Sequence, residues 1–265
     1  MIDLAAPLVI GDIADLLTSP GEMSRIVIEG LAKGSLYLMI SAGLTLIFGL
    51  MDVINFAHGA FTMYGAYIAG AALLGLGVGS MGFLGSMGSI FVVMLFVFLL
   101  LAALGVVFEV ALIRKLYEYP PIFMILLTFG FAITLEELMR MVVEFGDINN
   151  GQWQIDWATP RIESVPTELA STTEIGFLSF SGLQLLQIAF GVLTFVGIWA
   201  FLNRTRYGLF VRAGVEDEEM AKALGININR TFTAVFAVGS GLAGIAGVML
   251  ALDPLWAVNV PLALA

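Results

Sequence analysis

The chain is 265 residues long, 60% hydrophobic and 12% charged, with a formal net charge of −10 and a mean hydropathy of +1.00. A water-soluble domain carries roughly a quarter of charged residues, so the bilayer must be the solvent for much of this chain. With no cysteine and a single histidine, His58, it has no means for disulfides, thiolate metal sites or cysteine nucleophiles, and little room for a histidine-rich metal site or a Ser-His-Asp triad.

Residues 1–24 carry Asp3, Asp12 and Asp15 but no basic residue, so they lack the positive start of a secretory signal. They are expected to form an extracytoplasmic lead-in, interfacial or disordered, to one transmembrane domain over residues 25–265. Runs with few or no charges locate six spans: Gly34 to Met51, Ala60 to Val78, Ile90 to Ile113, Pro121 to Val143, Gly182 to Leu202 and Thr231 to Leu252. The first, 18 residues long, reaches about 27 Å as a helix, close to the hydrocarbon thickness. Ahead of it, Glu29 and Lys33 stand four apart and can pair. The stretch "GLGVGSMGFLGSMG" (75–88) reads as a glycine-rich loop. The spans predict an all-α, polytopic transmembrane bundle.

Basic residues set the orientation, because short cytoplasmic loops are enriched in Lys and Arg. Arg114 and Lys115 follow the third span, and Arg204, Arg206, Arg212, Lys222 and Arg230 lie between the fifth and sixth. The segment 144–181 instead holds Arg161 against Glu144, Asp147, Asp156, Glu163, Glu168 and Glu174. These place the N-terminus and the acidic segment outside, and 203–230 inside. Within the spans, Gly65 and Ala69, Ala66 and Gly70, Ser240 and Gly244, and Gly239, Ala243 and Gly247 repeat at four, a spacing that lets helix backbones approach closely.

Three clusters stand out. No charge interrupts Val53 to Phe108, yet that run opens with "VINFAHG", carrying Asn55, Phe56, His58 and Gly59. Asp52 or Asn55 can cap a helix end and Gly59 permits a turn or close contact. Two readings stand for Asn55 and His58: a satisfied structural pair at a helix end, or a helix break lining a polar path. In "NRTRYGLFVRAGVEDEEMAKALGININR" (203–230), Asp217, Glu218 and Glu219 fit a first helical turn and Gly225 a left-handed C-terminal cap. That predicts one short helix over 216–224 with Val215, Ala221 and Leu224 on its apolar face, lying on the bilayer or docked on a soluble partner. Near the outer end of the fourth span, Glu136 and Arg140 stand four apart and predict an ion pair.

Four stretches together resemble one family, the inner-membrane permease subunits of branched-chain amino-acid ABC importers: "AGLTLIFGLMDVINFAHGAFTMYGAYIA" (42–69), "LLTFGFAITLEELMR" (126–140), "RTRYGLFVRAGVEDEEMAKALGIN" (204–227) and "GLAGIAGVML" (241–250). The resemblance implies an ABC-importer permease fold in the inner membrane, with "EDEEMAKALGI" as the coupling helix that seats in an ATPase groove. Asp217, Glu218, Glu219, Ala221, Leu224, Gly225 and Ile226 would carry that contact. It further implies a translocation path near Asn55, Phe56, His58 and Gly59, with Thr128 and Gly130 from the second matching stretch. The implied partners are a paralogous permease, two ABC ATPase subunits, an extracytoplasmic solute-binding protein, a small-molecule substrate and membrane lipid. No nucleic acid, metal or cofactor is expected. With no GxxxxGK[ST] loop, ATP hydrolysis is expected on another chain, so this one is no enzyme. Urea or short amides are the alternative cargo, and a secondary transporter or channel the alternative class. The resemblance also implies about two spans beyond those this chain carries.

Overall fold

The computed structural model describes residues 19–253 apart from 52, 151–168 and 170. Eight helices are formed among the described residues: α1 (Pro20–Met51), α2 (Ala57–Gly75), α3 (Phe83–Ala111), α4 (Pro121–Asn150), α5 (Gly182–Arg204), α6 (Arg206–Glu216), α7 (Glu218–Ala223) and α8 (Ile228–Leu252). Before α5 a small antiparallel hairpin pairs β1 (Thr172–Ile175) with β2 (Leu178–Ser181), turning at Gly176 with φ +65°. All six expected spans are helices. Among the described residues five are long and apolar enough to cross a membrane, and α2 falls short of them in apolarity. His58, Thr62, Tyr64 and Tyr67 lower its apolarity, and its alanines and glycines let it sit inside the bundle, where Ala57, Ala60, Gly65, Ala66, Ala69 and Gly70 are buried.

In lipid the apolar side chains need no interior, so size rather than polarity decides which face turns inward. On α3, Val92, Leu95 and Leu99 are 57–65% exposed to the bilayer side. The narrow helix α8, with Gly239, Ser240, Gly241, Ala243, Gly244, Ala246 and Gly247 all buried, is enclosed by α1, α2 and α3. The four-residue spacings act here as predicted. A Cβ on Gly65 would come within 2.5 Å of the Gly244 carbonyl oxygen, and one on Gly239 within 2.8 Å of that of Gly43.

Several expectations are corrected. Helix α1 begins at Pro20, so the lead-in assigned to 1–24 loses its last five residues to the helix, and residues 1–18 lie outside the described ones. The glycine-rich loop is half structured: a 3-10 turn spans Val78–Ser80 and α3 starts at Phe83, seven residues before the expected Ile90. Arg140 lies 3.7 Å from Glu137, one turn position away from the expected Glu136. Lys33 does bond Glu29. Asp52 and the acidic residues Asp156, Glu163 and Glu168 lie outside the described residues.

The two ends of the bundle differ as the charges require. The hairpin meets the start of α1, where Ser24 Oγ donates to the Phe177 carbonyl at 2.6 Å. At that end Gln187 Nε2 donates to Asp253 Oδ2 at 2.9 Å, tying α5 to the end of α8. The far end of α1 packs instead near α6, and there gather "VINFAHG", "RKLYEYP" and 203–230.

Candidate functional site: a broken helix and a capped hairpin of helices

Between α1 and α2 the chain leaves helical geometry over 53–55, and the sequence supplies the means. Asn55 is 2% exposed, and its Oδ1 accepts from the Ala57 N–H at 3.1 Å, which starts α2 without a water-exposed cap. The Ile54 carbonyl, released from any helix, accepts the Thr128 hydroxyl of α4 at 3.3 Å. Phe56 is half-exposed and meets Phe129 edge to face, with ring centroids 6.2 Å apart. Gly59 lies half-buried in the first turn of α2.

His58 is buried against α1, its Nε2 2.9 Å from the Ile40 carbonyl oxygen. A carbonyl can only accept, so Nε2 carries the proton and Nδ1 is left as an acceptor. Gly43 makes room for the ring, since a Cβ there would come 2.9 Å from His58 Cε1. Both His58 Nδ1 and Asn55 Nδ2 are buried without a hydrogen-bond partner among the described residues. Of the six residues expected on a path, Asn55, Phe56, His58, Gly59 and Thr128 therefore meet at the break. Gly130 does not: it is exposed, a Cβ on it would meet open space, and it stands about 200° around α4 from Thr128. Replacing His58 with Ala is expected to cost about 2–4 kcal/mol, from the lost bond and the cavity beside Gly43. Thermal unfolding in detergent measures it, and an unchanged midpoint would refute the supporting role.

The segment 205–230 is divided by three capping side chains. Thr205 Oγ1 accepts from Gly208 N at 3.0 Å to start α6, Asp217 Oδ1 from Met220 N at 2.8 Å to start α7, and Asn227 Oδ1 from Arg230 N at 3.0 Å to start α8. Gly208 lets α6 fold back on α5, because a Cβ there would lie 2.3 Å from the carbonyl oxygens of Phe201 and Leu202. The single helix expected over 216–224 is thus corrected. Asp217, extended at φ −158° and ψ 101°, ends α6 and caps α7 from outside its first turn, and Val215 belongs to α6.

The close of α7 matches the expectation in full. Gly225 adopts φ +83°, its N–H reaches the Lys222 carbonyl at 3.0 Å, and the Ile226 N–H reaches that of Ala221 at 3.0 Å, the paired bonds of a Schellman motif. Ala221 is buried and Ile226 half-buried, holding α7 to the bundle. Leu224, expected on the docked apolar face, points outward at 74% exposed, with Met220 at 56% and Val215 at 58%. Glu219 is exposed, and Glu218 is the first residue of α7.

Residues 26–261 match the family described as branched-chain amino acid transport system / permease component. The chain belongs to that family. It is 29% identical to the high-affinity branched-chain amino acid transport system permease protein BraD of Pseudomonas aeruginosa, over 86% of this chain and 70% of that protein. It is 27% identical to LivH of Escherichia coli, over 84% of this chain and 68% of that protein. To the probable branched-chain amino acid transport permease protein LivH of Methanocaldococcus jannaschii it is 24% identical, over 89% and 68%. No solved structure matches the chain. It is accordingly a multi-pass membrane permease, a transport subunit and not an enzyme.

The permease has one polar cluster that sequence reasoning missed. Glu109 is fully buried near the end of α3. Arg114 grips it with both forks, Nε to Oε1 at 3.0 Å and a terminal nitrogen to Oε2 at 2.8 Å. The Tyr117 hydroxyl donates to Oε1 at 2.8 Å, and Thr233 Oγ1 of α8 lies 2.9 Å from Oε2. Burial first, then the Glu109 carboxylate, pushes the Tyr117 phenol above its ordinary value, so it remains a protonated donor. The signal was present: Glu109 is the charge that ends the long uncharged run, and Arg114 follows five residues later. Five residues do not share a helix face. They meet because α3 ends at Ala111 and a 3-10 turn, Ile113–Leu116, swings Arg114 back.

Proposed function

We propose that the chain is the permease of an ATP-driven importer of branched-chain amino acids, coupled to its ATPases through α7. The description of its family and the names of its relatives favour that cargo over urea or short amides. The observation that carries the coupling reading is the close of α7. A six-residue helix is too short to persist alone, yet here Asp217 and the Gly225 Schellman motif fix it with Met220 and Leu224 turned outward. Apolar side chains on a rigid, capped turn beside Glu219 suit a groove on a soluble partner. Asp217, Glu218, Glu219, Ala221, Leu224, Gly225 and Ile226 are assigned to that contact, with Asp217, Ala221 and Gly225 as its frame and Leu224 as its apolar tip.

The assembly is proposed to hold this chain, a paralogous permease, two ATPases and an extracytoplasmic solute-binding protein. ATP binding would draw the ATPases together and α7 with them, rocking the bundle between states of different substrate affinity. Asn55, Phe56, His58, Gly59 and Thr128 are assigned to the border of the path. Two observations support this: the chain leaves helical geometry over 53–55 with Asn55 and His58 buried, as a broken helix bordering a cavity does, and Asn55 Nδ2 and His58 Nδ1 still have bonds to make. Gly130 faces away and is assigned to packing or lipid.

The test is at Gly225. Valine at φ +83° carries about 1–3 kcal/mol of backbone strain and should displace Leu224. Asparagine tolerates that conformation. Uptake by the reconstituted importer should fall at least tenfold in Gly225→Val, with the protein still in the membrane, and stay within about twofold in Gly225→Asn. Undiminished uptake in the valine variant would remove α7 from the coupling role.

A further inference from the structure

A crevice of about 870 Å³ opens between α1, α5 and α6, apart from the helix break and from α7. That size falls within the roughly 300–1,000 Å³ of ligand pockets. Its walls are mostly apolar, with Leu38, Ala42 and Leu46 beside Thr45 on α1 and Phe195 and Ile198 on α5. The Ser41 hydroxyl on this wall is spent on the Leu38 carbonyl at 3.3 Å. Charge enters at one end, where α6 crosses and Asn203, Arg212 and Glu216 form the mouth. Such a gradient from apolar to charged fits an amphiphile. A free amino acid would need its two charged poles met at close quarters.

Two further observations fix the level and the sign of the polar end. Arg204 stacks over Trp199, its guanidinium carbon 5.6 Å from the ring centroid, as an interfacial anchor does. Arg212 lines the mouth beside Glu216, and Arg204 and Arg206 are its basic neighbours in sequence, so Arg212 is the group that meets an anion there. Arg212 gives one terminal nitrogen to Asn203 Oδ1 at 3.0 Å, which orients the guanidinium and leaves its other N–H groups to donate. We propose that the crevice between α1, α5 and α6 binds an anionic glycerophospholipid of the leaflet at α6, acyl chains along α1 and α5 and phosphate at Arg212. The bound lipid would wedge α6 against α1 and make the position of the segment leading to α7 depend on anionic lipid.

Native mass spectrometry of the purified, delipidated full chain tests this, with dioleoylphosphatidylglycerol and dioleoylphosphatidylcholine titrated separately. One arginine at an anionic headgroup corresponds to about a fivefold preference. The phosphatidylglycerol adduct should therefore form about fivefold tighter, and Arg212→Ala should bring the two lipids level, weakening phosphatidylglycerol more than phosphatidylcholine. Gly49 lines the crevice, and a Cβ on it meets nothing within 4 Å, so Gly49→Phe can fill the space without striking the backbone. It should weaken both lipids; Ala42→Leu does the same if the phenylalanine variant fails to extract as a monodisperse protein. The proposal is overturned by a headgroup preference that survives Arg212→Ala, or by lipid binding indifferent to the filling variants. Displacement of the lipid by glycerol 3-phosphate alone, or a cysteine crosslink from Gly49→Cys to a second permease chain in native membranes, overturns it equally.

Discussion

Removing Arg114 should destabilise this permease by about 3–5 kcal/mol, more than removing the carboxylate it holds. The asymmetry follows from exposure. The Glu109 side chain is 0% exposed and that of Arg114 is 32% exposed, so in Arg114→Ala a carboxylate is stranded where water does not reach. In Glu109→Ala the stranded guanidinium can turn toward solvent and recover part of its hydration. Tyr117 and Thr233 cannot rescue the first variant, because each offers a single neutral hydroxyl in place of a bidentate cation. Chemical or thermal unfolding in detergent should rank Arg114→Ala lowest, Glu109→Ala next, and Glu109→Gln nearest the parent. Replacing both by Leu and Met, similar in volume and uncharged, should restore much of the loss. If Arg114→Ala unfolds no earlier than Glu109→Ala, the cluster is not held by the buried charge.

The cluster also bears on transport. Thr233 sits on the second turn of α8, whose start at Asn227 follows directly on the Schellman close of α7. Glu109 and Arg114 thus fasten the base of the proposed coupling segment to α3. The double Leu/Met variant separates the two roles, since it should fold while transporting less if charge is needed to hold that base in register.

What the chain discloses about itself divides along physical lines. The spans were legible because a charge-free run of about 20 residues has few other uses than crossing a bilayer. The cap at Gly225 was legible because a left-handed residue after a run of helix formers is a local requirement. The helix ends were not: α1 begins well before its uncharged run, since a helix can emerge from the membrane with charges such as Arg25 on it, and α3 begins within the glycine-rich stretch read as loop. The shared face of Ala221 and Leu224 divides for a related reason: Ala221 is buried on the bundle and Leu224 turns outward. A helix that docks on another protein keeps its apolar residues off its own bundle, so periodicity alone does not say which surface they seek. The Ile40 carbonyl that meets His58 and the Thr233 hydroxyl that joins Arg114 and Tyr117 at Glu109 belong to residues with no distinguishing pattern of their own.

Gly247→Val is expected to abolish the assembled bundle, and the argument rests on backbone rather than side chains. A Cβ on Gly247 would lie 2.1 Å from the Thr62 carbonyl oxygen and 2.7 Å from Ala66 N, atoms fixed inside α2. Core overpacking ordinarily costs about 1–3 kcal/mol because a flexible neighbour gives way. Here no neighbour can rotate aside. The helices must part, and with them go the contacts of Gly65 on Gly244 and of Gly239 on Gly43, the seam beside the His58 pocket. Gly197→Ala in α5 is the matching control: its Cβ meets nothing within 4 Å, so the change should be neutral or stabilise by up to about 1 kcal/mol through helix propensity. Size-exclusion profiles and protease resistance of the extracted protein distinguish these outcomes. A monodisperse, protease-resistant Gly247→Val protein would mean that α2 and α8 do not pack through this seam.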